Sequence, residues 1–460
     1  MPKQMRQHVR ALLRNRRNFN PTRIVAASFA LIIIAGALLL TLPVASRDGQ
    51  SAGLFDSLFT ATSATCVTGL IVADTWLQWS LFGQVVIILM IQLGGLGFMT
   101  ITTLFSFVLH RRIGLSERLV MASTLNLNDM DGVVRVVRHA LIGTFTIEGI
   151  GATLLALRFI PKFGLAGGVW RGIFHGISSF CNAGFDLLGG YSGAYSSLTG
   201  VNDDPVILLT TGTLIAVGGL GFFVWEDILQ HRRWRKLSLY SRLVLGISAA
   251  LILGGAIFFL IVEYANPVTL GNMPLWQKAL NALFQSITLR TAGFDSIGQG
   301  GLSQSSLALS SIFMLIGGSS GSTAGGIKTV TVAVLLLAFR AGLRGREEVT
   351  IRGRSIPNRR VMNAMTLTLM VVFLSLLSSM LLSIVEGLPF LSAVFEVASA
   401  MGTVGLTVGI TPDLSLFSRG VLIFLMYVGR VGILSFSIAF LTRNKYPTKI
   451  KYPTFDIMIG

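Results

Sequence analysis

The chain has 460 residues, 52 % hydrophobic and only 12 % charged, with a mean hydropathy of +0.72 and a formal net charge of +17. So much apolar surface cannot be hidden from water behind so little charge, which excludes an ordinary soluble protein and makes lipid the solvent for most of the chain. The basic excess does not indicate nucleic acid, because it is gathered in short segments between apolar runs; the two cysteines, Cys66 and Cys181, lie outside any CxxC or His-rich cluster and argue against a disulfide framework or a structural metal.

In chain order, a basic tail over 1–23 leads into an apolar run from Ile24, and no small-residue cleavage site follows Leu40, so this reads as a retained first span. Crossing ~30 Å of hydrocarbon takes about 20 residues. Eight stretches qualify: Ile24–Val44, Leu81–Leu109, Ala140–Ile160, Pro205–Gln230, Leu243–Glu263, Ser306–Phe339, Val361–Glu386 and Arg419–Leu441. Between the members of each successive pair lies a shorter, half-apolar stretch ending in a glycine turn, too short to span and too apolar for a loop. Re-entrant half-helices fit these stretches. The expected fold is an all-α polytopic membrane protein of four M1–P-loop–M2 repeats with pseudo-fourfold symmetry around one pore: eight transmembrane helices and four re-entrant half-helices. The predicted units are the tail 1–23, repeats over 24–112, 113–236, 237–345 (with a loop at 317–329) and 346–445, and a tail 446–460.

Lys and Arg number seven in Met1–Arg23, five in His110–Ala140, five in His231–Arg242, seven in Arg340–Arg360 and four in Arg443–Gly460, which is 28 of the 37 in the chain. Eight spans put all of these on one side. By the positive-inside rule that side is the cytoplasm, with both termini there.

The most informative signal is self-similarity. Leu58–Leu70, Ile173–Phe185, Leu283–Phe294 and Val394–Leu406 each hold an aliphatic–Phe pair, a run of small or apolar residues, and a glycine followed by Leu or Phe. The third copy is one residue shorter between Phe and Gly. The glycines Gly69, Gly184, Gly293 and Gly405 are 115, 109 and 112 residues apart. Irregular backbone at membrane depth survives only where it is buried or lines a wet cavity. Glycine takes positive φ freely, which lets successive carbonyls face one way and replace the water around a weakly hydrated monovalent cation. The half-helices would aim their partly negative C-terminal ends inward, which favours cations. Asp56, Asp186, Asp203, Asp204 and Asp295 are expected on the outer side, adding a cation-attracting field, though each alone also reads as a solvated loop residue.

The motifs Val67-Thr-Gly-Leu70, Asn182-Ala-Gly-Phe185, Arg290-Thr-Ala-Gly-Phe294 and Gly402-Thr-Val-Gly-Leu-Thr407, together with the eight spans, resemble the Ktr/Trk/HKT superfamily of potassium transporters over essentially the whole chain. Lacking two extra N-terminal helices, the chain resembles the Ktr branch (KtrB-like membrane subunits) more than the Trk branch; a Trk-type or less selective Na⁺/K⁺ transporter is the alternative. The resemblance implies K⁺ uptake, Na⁺ as activator or co-ion, and a homodimer with one pore per protomer. It also implies a cytoplasmic KtrA-like ring that carries ATP/ADP or NAD(H), with no cofactor on this chain and no nucleic acid. It places the selectivity filter at Val67, Thr68, Gly69, Asn182, Ala183, Gly184, Thr291, Ala292, Gly293, Thr403, Val404 and Gly405, with K⁺ held by backbone carbonyls only. No copy has the second glycine of a channel's Gly-Tyr-Gly; Ile71, Asp186, Asp295 and Thr407 stand there, which predicts fewer ion sites. Cys66 and Cys181 are expected to pack behind the filter, since sulfur is a poor ligand for K⁺.

The sixth span is interrupted by Gly317, Gly318, Ser319, Ser320, Gly321, Ser322, Thr323, Ala324, Gly325, Gly326, Ile327 and Lys328. Gly321 and Gly326 have the spacing of a nucleotide-binding GxxxxGK[ST] loop, but Ile327 intervenes before Lys328 and no strand precedes it, so ATP hydrolysis is a poor reading. The resemblance implies a gating loop beneath the filter, with Arg430 of the eighth span beside it. An arginine at that depth faces a partner or a cavity; the resemblance implies that Arg430 hydrogen-bonds carbonyls of the loop and repels cations when the gate is shut, the bland alternative being that it pairs with an acid and only holds helices together. Arg290 is expected to be structural behind the filter and Glu148 a packing or pairing residue. Five scattered histidines offer no catalytic set, so no enzyme is expected. Four parallel units with one long Gly/Ser break also fit alternating access poorly.

Overall fold

Residues 21–97, 133–346 and 348–432 are described by the computed structural model. The predicted tails, the basic segment up to residue 132, and the ends of the second and eighth spans lie outside the described residues. Among the described residues, thirteen helices of ten residues or more carry the fold. They are α1 (Pro21–Thr41), α2 (Leu54–Cys66), α3 (Leu81–Leu96), α4 (Val133–Phe180), α5 (Pro205–Gly219), α6 (Phe222–His231), α7 (Leu239–Val262), α8 (Leu275–Thr288), α9 (Gln304–Leu315), α10 (Thr329–Leu343), α11 (Asn358–Glu386), α12 (Phe390–Gly402) and α13 (Leu416–Val431). The one sheet among the described residues is a two-residue hairpin pairing Thr350–Ile351 with Arg354–Ser355.

Side-chain caps set where the second helix of each expected pair begins. Ser80, Asp204, Ser303 and Ser415 accept from the first-turn N–H groups of α3, α5, α9 and α13, meeting backbone donors that have no partner inside the helix. Long helices meet lipid. In α11, Leu369, Phe373 and Ile384 are exposed, and so is Ile261 in α7; such apolar faces call for hydrocarbon or another protein surface against them. The half-helices are the reverse. From Ser57 to Cys66 and from Ala393 to Gly402, α2 and α12 are buried almost throughout. The Phe of each sequence copy (Phe59, Phe174, Phe284 and Phe395) is at most 1 % exposed.

Four described helices are long and apolar enough to cross a membrane, ending at Thr41, Phe180, Val262 and Glu386, and α5 with α6 forms a bent pair. The remaining expected spans depart from straight helices in one way: each second helix stops short. α3 ends at Gly97 and α13 at Gly432, both with positive φ. Between α5 and α6 the axis turns by 96°, and α9 is separated from α10 by the Gly/Ser segment. All four described second helices thus end at or within two residues of a glycine, and among the described residues the long Gly/Ser segment belongs to the sixth expected span. The runs Gly94-Gly95-Leu96-Gly97 and Gly218-Gly219-Leu220-Gly221 mark two of these ends in the sequence. The third span and second half-helix, expected as separate pieces, run on as α4 with a break at Gly164 (φ 74°). The two limbs pack through small residues: a Cβ on Gly168, Gly172 or Gly176 would lie within 3.0 Å of Ile160, Ala152 or Ala156, the close approach that glycine every fourth residue permits.

The loop after α7 is organised by Glu263, whose buried carboxylate accepts from Ser303 N (3.0 Å), Ser303 Oγ (2.7 Å), Thr269 Oγ1 (2.8 Å), Asn266 Nδ2 (2.6 Å) and Ser306 Oγ. Burial alone would push this carboxyl up, but its hydrogen bonds, those from Ser306 and Ser303 foremost, outweigh that and hold it below the usual carboxylate range. A depressed folded pKa contributes stability that is present at neutral pH and lost as pH falls through the folded value. Glu263→Gln is therefore expected to lower stability at pH 7 by about 1–3 kcal/mol. The gap from wild type should shrink in acid, read by thermal unfolding of the detergent-solubilised protein at both pH values.

Candidate functional site

The four half-helices end in a common way. Val67, Asn182, Thr291 and Thr403 adopt left-handed φ of 57°, 60°, 63° and 52°, and Gly69, Gly184, Gly293 and Gly405, two residues on, have φ of 96°, 71°, 81° and 99°. Non-glycine residues rarely take this conformation. In three copies a Schellman cap holds it: Thr68 N, Ala183 N and Val404 N donate to Ser63 O, Ser178 O and Ser399 O, each at 2.8 Å. The third copy, one residue shorter, closes instead with Ala292 N on Thr288 O at 3.0 Å.

The turns close on one another in cyclic order. A Cβ on Gly69 would lie 2.4 Å from Ala183 O; on Gly184, 2.8 Å from Ala292 O; on Gly293, 2.2 Å from Val404 O; and on Gly405, 2.2 Å from Thr68 O. Each glycine thus abuts the carbonyl that precedes the next copy's glycine, and no side chain fits. All twelve expected filter residues lie in these four turns and all are buried. The Asn182 amide lies behind the ring, near Arg290 O and Thr291 Oγ1 of the next copy.

Two sets of residues behind the turns escaped the sequence reading. Ser63, Ser178, Thr288 and Ser399 each stand four residues after the Phe of their copy. Ser63 Oγ and Ser399 Oγ accept from Gly69 N and Gly405 N at 3.0 Å. Ser178 Oγ and Thr288 Oγ1 donate to Phe185 O and Phe294 O at 2.7 Å. One residue after the Phe, His175, Gln285 and Glu396 reach the chain beyond their own filter: His175 Nε2 accepts from Leu187 N, Gln285 pairs with Gln299, and Glu396 accepts from Val408 N and Thr411 Oγ1. The hydroxyl at a fixed place in four copies was the available signal.

The second helices press against the same turns. A Cβ on Gly94, Gly218 or Gly429 would come to 1.9, 2.0 or 2.2 Å of Thr65 O, Phe180 O or Met401 O, in each case the carbonyl four residues before the filter glycine.

The Gly/Ser segment is a loop with a tied neck. Gly317 N donates to Ile327 O (2.9 Å) and Ile327 N to Leu315 O (3.0 Å). Its body lies under the turns. Thr323 Oγ1 donates to Phe180 O at 3.2 Å, Ser319 N to Gly219 O at 3.0 Å, and Phe222 N to Gly321 O at 3.0 Å. A Cβ on Gly325 would meet Thr403 Oγ1. Arg430 donates to Thr323 O of the loop and to Gly94 O and Gly95 O at the end of α3. Lys328 Nζ donates to Ala324 O at 2.7 Å. The described partners of Arg430 are thus carbonyls of the loop and of the end of α3, not an acid, left over where helix and loop backbone are unpaired.

The acids expected on the outer side, each read singly as a loop residue, differ in their surroundings. Asp204 caps α5 and pairs with Arg158 (2.7 Å), and Asp56 pairs with Arg419 (2.8 Å). Asp295 accepts from Ile297, Gly298 and Gln299 N–H groups. Asp203 is exposed. Only Asp186 and Asp295, two residues past their glycines, stand beside the turns. Cys66 and Cys181 are fully buried behind the filter. Glu148 pairs with Gln92 Nε2 at 3.1 Å. Arg290 is buried, its Nε and Nη2 without a partner among the described residues.

The family model described as the cation transport protein TrkH matches residues 6–448. The chain is 43 % identical over 452 residues to the potassium/sodium uptake protein NtpJ of Enterococcus hirae, covering 97 % of this chain and 99 % of that one. It is 38 % identical over 442 residues to the Ktr system potassium uptake protein B of Bacillus subtilis, covering 96 % and 97 %. Its fold is like that in the crystal structure of the potassium transporter TrkH from Vibrio parahaemolyticus, with a TM-score of 0.72 at 19 % identity over 92 % of this chain and 85 % of that one.

The close packing behind the turns is testable apart from transport. Gly429→Ala places a methyl on Met401 O and is expected to cost about 1–3 kcal/mol of stability. Gly420→Ala on the same helix, with nothing near its Cβ, should leave the melting temperature unchanged in the same detergent assay.

Proposed function

The chain belongs to the TrkH cation transport protein family, and from that premise we propose that it takes up potassium across a bacterial cytoplasmic membrane through a carbonyl-lined filter. In this reading four M1–P-loop–M2 repeats, comprising eight spans, surround one pore. The observation that carries it is the ring of four glycine turns, each glycine closed on the next copy's carbonyl. Peptide oxygens at Thr68, Ala183, Ala292 and Val404 replace the ion's water, and the C-terminal ends of the half-helices add negative potential. A large, weakly hydrated cation loses least on dehydration, which favours K⁺.

The loop over 317–326 is the barrier. Arg430 and Lys328 hold its carbonyls and place positive charge where a cation would pass, so flux requires that these bonds break. The tied neck at Ile316 and Ile327 lets the body move while its ends stay fixed. Opening is driven by a cytoplasmic nucleotide-binding ring on a homodimer; the Ktr system name of the Bacillus subtilis relative supports such a partner, and the clustering of Lys and Arg supports cytoplasmic termini. A second reading, in which Na⁺ passes as well, is favoured by the potassium/sodium name of the Enterococcus hirae relative and by the absence of a second filter glycine.

Expression in a potassium-uptake-deficient bacterium at low external K⁺, with and without Na⁺, tests the function: no rescue under either condition would end it. Gly184→Ser or Gly405→Ser, which puts a side chain on a neighbouring carbonyl at positive φ, is expected to weaken K⁺ preference. The measurement is Na⁺ competition with radioactive Rb⁺ uptake, and unchanged competition counts against the filter. Deleting Ser319–Ala324 is expected to raise flux and free it from the partner's nucleotide; a well-expressed deletion slower than wild type contradicts a barrier.

A further inference from the structure

The four hydroxyls behind the filter occupy one sequence position but bond in two opposite ways. Ser63 and Ser399 accept from a glycine N–H, while Ser178 and Thr288 donate to the carbonyl of the residue after the glycine. In a trans peptide the N–H and C=O of one unit point in opposite directions. A Gly69 or Gly405 N–H drawn back to its half-helix therefore turns Thr68 O or Val404 O forward, to the side facing the other turns. A Phe185 or Phe294 carbonyl drawn back does the reverse, turning the N–H of Asp186 or Asp295 away from the half-helix. Asp295 N is taken by Ser197 Oγ at 3.1 Å. Leu70 O and Leu406 O, the matching carbonyls of the first and fourth copies, accept no hydrogen bond from the described residues.

We infer that Ser178 and Thr288 are specificity-determining positioning residues: by holding Phe185 O and Phe294 O out of the axis, they leave the filter edge remote from the loop with two ligating carbonyls, Leu70 O and Leu406 O, in place of four. That edge therefore has two ligating carbonyls, from the adjacent first and fourth copies, and the level one residue deeper has four. This rests on the filter reading above. A half ring discriminates poorly against the smaller, more strongly hydrated Na⁺, because water completes the shell of either ion.

The test is the K⁺-to-Na⁺ ratio, measured as Na⁺ inhibition of Rb⁺ uptake in cells carrying the complete chain. Ser178→Ala and Thr288→Ala each release one carbonyl and are expected to raise discrimination against Na⁺ about threefold to fivefold, the difference one neutral hydrogen bond makes. Ser178→Cys and Thr288→Cys keep the volume with a poor donor and should move the ratio the same way, covering an alanine variant that fails to fold. Ser178→Thr and Thr288→Ser keep the donor and should keep the wild-type ratio. Ser63→Ala and Ser399→Ala loosen a ligating carbonyl and should lower the ratio. A packing role alone would move all four positions in one direction, and that outcome overturns the inference. So does an unchanged ratio at Ser178 and Thr288 while Gly184→Ser shifts it; a ratio unchanged in every variant, Gly184→Ser included, overturns the filter reading as well.

Discussion

A peptide carbonyl inside a bilayer must find a donor, because hydrocarbon offers none. The four turns need some carbonyls kept free for an ion, so every other polar group nearby has to be satisfied from behind. The Schellman caps at Ser63, Ser178 and Ser399 use up helix-terminal carbonyls. The hydroxyls of Ser63 and Ser399 take glycine N–H groups, and side chains at Gln285 and Glu396 tie down the chain beyond the filter. Thr68 O, Ala183 O, Ala292 O and Val404 O, each beside the glycine of a neighbouring copy, accept no hydrogen bond from the described residues.

That requirement also explains the glycines of the second helices. Gly94, Gly218 and Gly429 sit directly on carbonyls four residues before the filter glycines, so the helices can pack close enough to seal the turns from lipid. Close packing has a consequence a few residues on, where α3 and α5 end and leave their own end carbonyls. Gly94 O and Gly95 O are taken by Arg430, and Gly218 O and Gly219 O by the loop. The barrier is thus built from bonds that the broken helices would otherwise lack, which makes it both stable when closed and dependent on few contacts.

Much of this was legible from residues. The four glycines at near-equal spacing, the Phe ten or nine residues before each, and the Gly/Ser break all pointed to the site. The hydroxyl four residues after each Phe was equally visible but passed as one small residue among others, because the pattern was read for size and not for donors. The breaks in the other second helices were missed since a glycine inside an apolar run usually means packing. The left-handed Val67 and Thr403 could not have been found: β-branched residues disfavour that conformation, and only the surrounding cap and neighbours impose it.

By itself the sequence determined that this protein lives in lipid, that its chain repeats one helix–turn–helix theme, and that glycine is required at four corresponding points, because composition and spacing are properties of the chain alone. Tertiary structure decided which oxygens are free and which are bound. Ser178 and Ser63 are the same residue at the same place in two copies, yet one donates to a carbonyl and the other accepts from an amide; likewise Arg430 meets carbonyls of α3 as well as those of the loop. The reason is that hydrogen-bond polarity is set by which groups neighbouring segments leave unpaired, and those segments are hundreds of residues apart until the chain has folded.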